Sequence, residues 1–165
     1  VGAAGTKALV DGLLDVHDYL DGRVDLSGRE ISPTDVAVEG FDVSATRMDH
    51  SVDCLAYRFS GGDGDIVYSG DGEASASLAS FAEGAAVLAH DCSFPDDVDV
   101  SNHPTPSKLG DALATADADV GRVYLTHLYP HTDGRHEEML DSIAERYDGD
   151  VRFAEDGLSI DVTPS

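Results

Sequence analysis

The chain of 165 residues carries 33 acidic and 10 basic side chains, which gives a formal net charge of −23. Its hydrophobic content of 41% supports a folded core, and its acidic residues lie between apolar segments, which excludes a disordered acidic tail. Two cysteines are too few for a disulfide scaffold, and no apolar run has the length of a membrane-spanning helix. We therefore expect one cytoplasmic domain over residues 1–165.

The excess of acid favours a protein adapted to molar salt, as in halophilic archaea. The alternative is a surface that binds cations or basic proteins. At molar salt the Debye length is about 3 Å, so surface charge then says little about the substrate. A nucleic-acid substrate is compatible with this composition.

The N-terminal half predicts one helix followed by strands. Thr6 is placed to cap a helix whose apolar stripe runs to Leu20. His17 lies on this stripe, and we expect it to pack in the core. The strands predicted next lie in the alternating segment Asp35–Met48, which Glu39-Gly40 breaks in two, and in Val52–Phe59.

The C-terminal half alternates strands with helices, which is typical of an α/β domain. The predicted strands are Ile66–Tyr68, Ala85–Ala89 and Arg122–Leu125, and the predicted helices are Ser75–Glu83, Pro106–Ala116 and Arg135–Tyr147. The turn residues Asp156-Gly157 further predict that Val151–Glu155 and Leu158–Val162 close the chain as a hairpin.

Side chains that can bind a metal follow several predicted strands. Asp71, the pair His90-Asp91 and His127 stand where three successive strands end, and His50 follows an earlier strand. Polar residues at successive strand ends converge on one edge of a sheet, so we expect these side chains to lie together. Two imidazoles and a carboxylate suit Zn²⁺, Mn²⁺ or iron. The alternative is that they are unrelated polar turn residues.

Several short motifs occur in an order and spacing that resemble a known family. They are Met48-Asp49-His50, Val67-Tyr68-Ser69-Gly70-Asp71, His90-Asp91-Cys92-Ser93-Phe94, His103-Pro104-Thr105 and Leu125-Thr126-His127-Leu128. Together they resemble the metallo-β-lactamase superfamily, and most closely its ribonuclease Z-like branch. The resemblance covers nearly the whole chain and implies an α/β fold of the αββα sandwich type, of which this chain would form the C-terminal two-thirds.

The resemblance implies a metal centre. His50 would bind one metal, His127 would bind another, and Asp71 would bridge the two. The expected metal is Zn²⁺, with two ions in a complete site, and Mn²⁺ or iron are the alternatives.

The resemblance also implies catalytic residues. His103 would lie beside the scissile phosphate, where it would donate a proton to the leaving oxygen or clamp the phosphate. Asp91 stands where this branch has Glu in a His-Glu-Ala-Thr motif, and it would orient His103. Tyr129 and His131 are the expected substrate-binding residues, with packing and solvated loop roles as the alternatives.

Besides Asp91 in place of Glu, the sequence differs from this branch in further respects. The superfamily's His-x-His-x-Asp-His motif, which supplies four ligands, does not occur in these residues. We expect it upstream of Val1, so that the chain is an N-terminally incomplete single domain. Only a short turn separates Arg58 from Ile66, where many ribonuclease Z proteins carry a long insertion that grips tRNA.

For the complete, full-length protein, these features predict a metal-dependent hydrolase, a ribonuclease Z-like phosphodiesterase in which a metal-bound hydroxide attacks phosphorus. The expected partners are a small phosphodiester or RNA substrate and, by resemblance, a second copy in a homodimer, but no membrane. One alternative is a hydrolase of the same fold that acts on a lactone, thioester or sulfate ester. The other is a non-catalytic module with a degenerate metal site.

Overall fold

A computed structural model describes the chain except for residues 18, 20, 21, 24, 39, 99, 100, 102 and 163–165. The predicted helix end at Leu20 and the predicted strand break at Glu39 lie outside the described residues. The strands are β1 (Asp35–Val38), β2 (Phe41–Met48), β3 (Cys54–Ser60), β4 (Ile66–Tyr68), β5 (Val87–Asp91), β6 (Val123–Thr126) and β7 (Val151–Phe153). The α-helices are α1 (Thr6–Val16), α2 (Ala76–Phe81), α3 (Pro106–Ala116) and α4 (His136–Ala144), and Pro130–Thr132 forms a 3₁₀ turn.

Among the described residues, seven strands form one sheet whose spatial order follows the order of the chain. The pairings from β1 to β4 are antiparallel, and those from β4 to β7 are parallel. The predicted α/β class is therefore confirmed. The change from antiparallel to parallel pairing falls at β4, the strand that precedes Asp71.

The three parallel connections pass through α2, α3 and α4 in turn. Such crossovers are almost always right-handed, and all three step in the same direction across the sheet, so their helices pack side by side on one face. The core lies between these helices and the sheet, where Leu78, Leu113 and Ile143 join Val67 and Leu125. This packing fixes the strand ends that carry the polar residues.

The elements of the C-terminal half lie close to their predicted places. β4 has the predicted bounds, Ile66–Tyr68, and α3 (Pro106–Ala116) ends at the predicted residue, with Pro106 near its start as expected. In α3, Pro106 stands at the first helical position, where its missing N–H costs no hydrogen bond. Within the described ranges, every helix is too short or too polar to span a lipid bilayer.

The predicted C-terminal hairpin is wrong. β7 spans only Val151–Phe153 and pairs in parallel with β6, and residues 158–162 form no strand. Instead, the carbonyl oxygen of Val162 lies so close to Gly64 that a Cβ there would stand 2.6 Å from it. Turn residues at Asp156-Gly157 show where the chain bends but not what the next segment packs against.

The apolar stripe of α1 does not face the core. None of its 11 residues is buried, and Leu9 and Val16 are 65% and 76% exposed. His17 is also exposed, so its predicted packing in the core is wrong. Helical periodicity shows that one face of α1 is apolar, but it does not show that the rest of the fold covers this face.

The predicted N-cap of α1 is wrong by one residue. Gly5 occupies the cap position with a φ of +92°, a conformation that glycine adopts without a steric penalty, and Thr6 is the first helical residue. The carboxylate of Glu30 accepts hydrogen bonds from the backbone N–H groups of Gly5 and Lys7, both at 2.9 Å. The carboxylate of Glu30, distant in sequence, therefore caps the helix N-terminus in place of the Thr6 hydroxyl.

Candidate metal centre

The carboxyl ends of four strands meet at one edge of the sheet. β4, β5 and β6 are parallel, so Asp71, Asp91 and His127 reach this edge from three neighbouring strands. β2 runs in the same direction as β4, because the two antiparallel pairings through β3 restore the direction. His50 lies two residues after β2 and therefore stands at the same edge.

A close contact between two loops positions Asp71. A Cβ on Gly72 would stand 2.5 Å from the Cβ of Met48 at the end of β2, so only glycine fits here without a shift. The backbone N–H of Glu73 donates to the carbonyl oxygen of Asp49 at 2.9 Å. The loop that carries Asp71 is thus held against the loop that follows β2.

His127 has an unusual backbone conformation. Its φ is +58°, in the left-handed region that residues other than glycine rarely adopt. This conformation costs roughly 1–3 kcal/mol for such a residue, and conformations of this kind cluster at functional sites. The turn directs the imidazole towards the side chains of the neighbouring strand ends.

The imidazoles of His50, His103 and His127 stand in a row. The ring centres of His50 and His103 are 5.9 Å apart, and those of His103 and His127 are 5.8 Å apart with an interplanar angle of 13°. Oδ1 of Asp71 lies 3.7 Å from Nδ1 of His127. The side chains of Asp71 and His127 are 46% and 38% exposed, so this end of the row opens to solvent.

A second group of ligand atoms overlaps this row. Asp91, His103 and His127 each offer one ligand atom, and these atoms lie within 4.8 Å of one another. Only His127 belongs both to this group and to the predicted ligand set of His50, Asp71 and His127. The structure thus places the residues predicted to act on substrate within the same few ångströms as a predicted metal ligand.

The donor atoms of the histidine row and of this second group fit a divalent metal. Nδ1 of His50 is buried and has no hydrogen-bond partner among the described residues. A buried polar atom without a partner is costly, and a bound cation would satisfy it. The neighbouring donors are imidazole nitrogens and carboxylate oxygens, which are the ligands of Zn²⁺, Mn²⁺ and iron.

Asp91 and His103 are paired, as expected for an orienting carboxylate. Oδ2 of Asp91 lies 3.2 Å from Nδ1 of His103, and Asp91 is fully buried. The hydroxyl of Ser93 donates to Oδ1 of Asp91 and lies 3.3 Å from Nδ1 of His103. The sequence analysis assigns Ser93 no role. The available signal is its place two residues after Asp91, where the His-Glu-Ala-Thr motif has another hydroxyl residue.

An aromatic rim lies beside the histidine row. The ring centre of the buried Phe94 is 4.7 Å from that of Tyr129 and 5.3 Å from that of His131. Tyr129 is 40% exposed, and its ring centre is 5.9 Å from that of His103. Both predicted substrate-binding residues are therefore accessible beside the cluster.

His90 lies behind the site. It is in register with Leu125 inside the sheet and is 1% exposed. Its Nδ1 lies 2.6 Å from the carbonyl oxygen of Asp91, and its Nε2 is buried with no hydrogen-bond partner among the described residues. Burial lowers the pKa of His90, which favours a neutral ring in the core.

No model of a known protein family matches the sequence. The chain is 28% identical over 118 residues to the probable metallo-hydrolase YhfI of Bacillus subtilis, a match that covers 72% of this chain and 48% of YhfI. It is 33% identical over 99 residues to the ribonuclease Z of Haloferax volcanii, which covers 59% of this chain and 31% of that enzyme. The chain thus spans about half the length, or less, of these curated relatives.

Solved structures show the same fold. The metallo-β-lactamase fold protein YhfI from Bacillus subtilis superposes with a TM-score of 0.71 at 24% identity, over 86% of this chain and 58% of YhfI. The short form of human tRNase Z superposes with a TM-score of 0.65 at 17% identity, over 99% of this chain and 67% of that protein.

The fold predicted from the short motifs is confirmed by these structural likenesses. Fold and sequence likeness point to the same group of proteins, since the sequence relatives include a metallo-hydrolase and two ribonucleases Z. The chain therefore has the metallo-β-lactamase fold, and its sequence is similar to a probable metallo-hydrolase and to two ribonucleases Z.

Proposed function

We propose that the protein is a metal-dependent hydrolase of phosphodiesters. The observation that carries this proposal is the convergence of His50, Asp71, His103 and His127 at one edge of the sheet. Within this group, Nδ1 of His50 is buried and has no hydrogen-bond partner among the described residues. The relatives named ribonuclease Z support a phosphodiester over other esters.

His50, Asp71 and His127 would hold the metal. We propose Zn²⁺, because imidazole and carboxylate ligands suit it, while Mn²⁺ and iron accept the same donors. A divalent cation in such a site lowers the pKa of water and offsets the negative charge that develops on the phosphoryl oxygens. Asp71 would contribute its carboxylate to the metal site, and in a site with two ions it would serve as the shared ligand.

His103 would move the proton of the leaving group. Its Nδ1 faces Asp91, so Nε2 is the ring atom left to meet substrate. When protonated, this nitrogen can donate a hydrogen bond to the ester oxygen that departs. The buried carboxylate of Asp91 would orient the ring and stabilise its cationic form.

Tyr129 and His131 would contact the part of the substrate beyond the phosphate. Both are exposed and both contact the buried Phe94, so their rings are held at the rim. Between β3 and β4 the chain makes only a short turn, and no long arm stands there to hold an RNA. We therefore propose a small phosphodiester as the primary substrate and RNA as the alternative.

The first test is hydrolysis of bis(p-nitrophenyl) phosphate in about 2 M KCl, with Zn²⁺ or Mn²⁺ added. We expect turnover that a chelator removes, and a loss of about 100-fold or more in kcat/KM in Asp71→Asn, because this variant loses a proposed ligand. Asp63→Asn, in the exposed turn before β4, is the matched control and should keep activity.

Two outcomes would contradict this proposal. Activity that persists in Asp71→Asn would show that the proposed metal site is not needed for hydrolysis. Turnover of p-nitrophenyl sulfate, a lactone or a thioester in the absence of phosphodiester turnover would favour another ester as the substrate.

The two cysteines are consistent with a reducing compartment. Cys54 is partly buried, Cys92 is fully buried, and both are free thiols. Burial raises the pKa of both thiols, which keeps them protonated and poorly reactive. We propose a cytoplasmic location on this basis.

A further inference from the structure

We propose that Ser93 is a positioning residue that holds Asp91 and His103 in a closed hydrogen-bonded triangle. This inference rests on the proposed function, because it assigns Ser93 to the residues that support His103. Ser93 would act through its two partners and would not touch the substrate itself.

The three side chains contact one another pairwise. Ser93 Oγ donates to Oδ1 of Asp91 and lies 3.3 Å from Nδ1 of His103, and Oδ2 of Asp91 lies 3.2 Å from the same nitrogen. Ser93 and Asp91 are both 0% exposed, whereas the side chain of His103 is 18% exposed. The buried side of the triangle is therefore closed to water, and only the histidine reaches the site.

The donors and acceptors determine which ring nitrogen carries the proton. The hydroxyl hydrogen of Ser93 goes to Asp91, so the oxygen of Ser93 presents its lone pairs to His103. Nδ1 of His103 then faces two acceptors, a carboxylate oxygen and a hydroxyl oxygen, and must carry a hydrogen. Neutral His103 is therefore held as the Nδ1–H form, and its Nε2 is free to meet a proton, a phosphate or a metal.

The geometry excludes Ser93 as a nucleophile. In a catalytic serine arrangement, the hydroxyl and the carboxylate bind opposite nitrogens of the imidazole. Here both partners lie at Nδ1, and the hydroxyl is fully buried. The hydroxyl thus supports His103 instead of attacking a substrate.

The backbone of Ser93 is itself anchored to the neighbouring strand end. Its carbonyl oxygen accepts a hydrogen bond from the N–H of Tyr129 at 3.2 Å, and the N–H of Cys92 donates to the carbonyl oxygen of Thr126 at 3.1 Å. These two bonds span the loop that contains His127. Ser93 therefore links the Asp91–His103 pair to the segment that presents a proposed metal ligand and Tyr129.

The test compares Ser93→Ala, Ser93→Val and Ser93→Thr with the native metal-free chain. Threonine and valine have nearly the same volume, but only threonine keeps the hydroxyl. Long-range ¹H–¹⁵N correlation spectra, recorded where His103 is neutral, report the ratio of its two tautomers. Far-UV circular dichroism shows whether each variant is folded.

We expect the share of the Nε2–H tautomer of His103 to rise about three- to tenfold in Ser93→Ala and Ser93→Val, because each loses one hydrogen bond of ordinary strength. Ser93→Thr should keep the native ratio. If the added methyl groups of valine prevent folding, Ser93→Ala against the native chain makes the same comparison. An unchanged ratio in the folded variants without the hydroxyl, or an equal change in Ser93→Thr, would overturn the proposal.

A second readout separates this inference from the proposed function. In the phosphodiester assay, Ser93→Ala should lower kcat with little change in KM, and Ser93→Thr should restore it. If the protein hydrolyses no phosphodiester at all, the proposed function fails. The tautomer ratio of His103 would still decide the role of Ser93, since it is measured without metal or substrate.

Discussion

At the scale of single residues, His127 combines a proposed ligand with a strained backbone. A φ of +58° is disfavoured for every residue except glycine, so the surrounding fold must hold His127 in this conformation. The same conformation brings its ring parallel to that of His103. We infer that the strained backbone of His127 lowers the stability of the fold but places its imidazole beside that of His103.

This interpretation predicts an unusual order of stabilities. His127→Gly should be more stable than His127→Ala by roughly 1 kcal/mol, because glycine alone adopts a positive φ without penalty. Urea denaturation of the two metal-free variants measures this difference.

The control is the same pair of substitutions at Ser80, an exposed position in α2. There the order should reverse, because glycine destabilises a helix relative to alanine by about 1 kcal/mol. Equal stabilities of His127→Gly and His127→Ala would show that the backbone of His127 is not strained.

The site could be predicted from the sequence only in part. Asp71 and His127 each follow a short apolar run that ends in a turn, so their place at a strand end is visible in the sequence. The role of Ser93 is not visible, because it depends on a contact with Nδ1 of His103, which lies ten residues later in the chain. A single hydroxyl residue has no periodicity that would reveal this contact.

At the scale of elements, Asp96 ties together the loop after β5 and two helices. Its Oδ1 accepts from the backbone N–H and the hydroxyl of Ser107 near the start of α3, at 2.9 and 2.6 Å. Its Oδ2 accepts from the hydroxyl of Ser142 in α4 at 2.5 Å. The loop so anchored also carries Ser93 and Phe94, so these bonds hold one wall of the proposed site.

Replacing Asp96 should loosen this connection. We expect Asp96→Asn to lower the free energy of unfolding by about 1–2 kcal/mol at neutral pH, because an amide has one acceptor oxygen and no charge for the helix N-terminus. Asp63→Asn, in the exposed turn before β4, should have almost no effect. An Asp96→Asn variant as stable as the native protein would show that these bonds do not contribute.

The difference between native protein and Asp96→Asn should also depend on pH. Burial alone would raise the pKa of Asp96, but the hydrogen bonds from Ser107 and Ser142 outweigh this effect and lower the pKa below 3.8. A lowered carboxyl pKa stabilises the fold above the pKa of the unfolded chain, and this stabilisation is lost as pH falls through the folded value. The gap should therefore be constant above about pH 5 and shrink below about pH 4.

Helices and strands could be predicted from the sequence where a proline or a glycine-rich turn marks their first residue. Pro106 indicates the start of α3, and the glycine-rich turn before Ile66 indicates the start of β4. The C-terminal hairpin failed because pairing of β7 with β6 depends on a neighbour that lies some 25 residues away along the chain. The exposed face of α1 failed for a related reason, since periodicity does not reveal what covers a face.

At the scale of the whole molecule, the main electrostatic feature is the formal net charge of −23. Among the described residues, most ion pairs have at least one solvent-exposed partner, as in Lys7–Asp11 and Arg135–Glu138. Such pairs contribute little to the free energy of unfolding. The unbalanced acidic charge repels itself and destabilises the compact state. We propose that the protein is adapted to high salt, where this repulsion is screened.

This proposal predicts that the melting temperature rises by at least several degrees between about 0.1 and 2 M KCl, since the Debye length falls from about 10 Å to below 3 Å. Differential scanning calorimetry measures the change. Sucrose of equal osmolality is the control, because it stabilises by exclusion from the surface without screening charge. A rise that sucrose matches would contradict an electrostatic origin.

The most direct test of the central claim is the amount of Zn²⁺ bound per chain, measured by elemental analysis after dialysis at high salt. We predict at least one ion in the native chain and a clear loss in Asp71→Asn and His127→Asn, because these residues supply proposed ligands. His17→Asn, at the exposed end of α1, should bind as much as the native chain. Equal zinc in the native chain and in Asp71→Asn and His127→Asn would contradict the proposed metal centre.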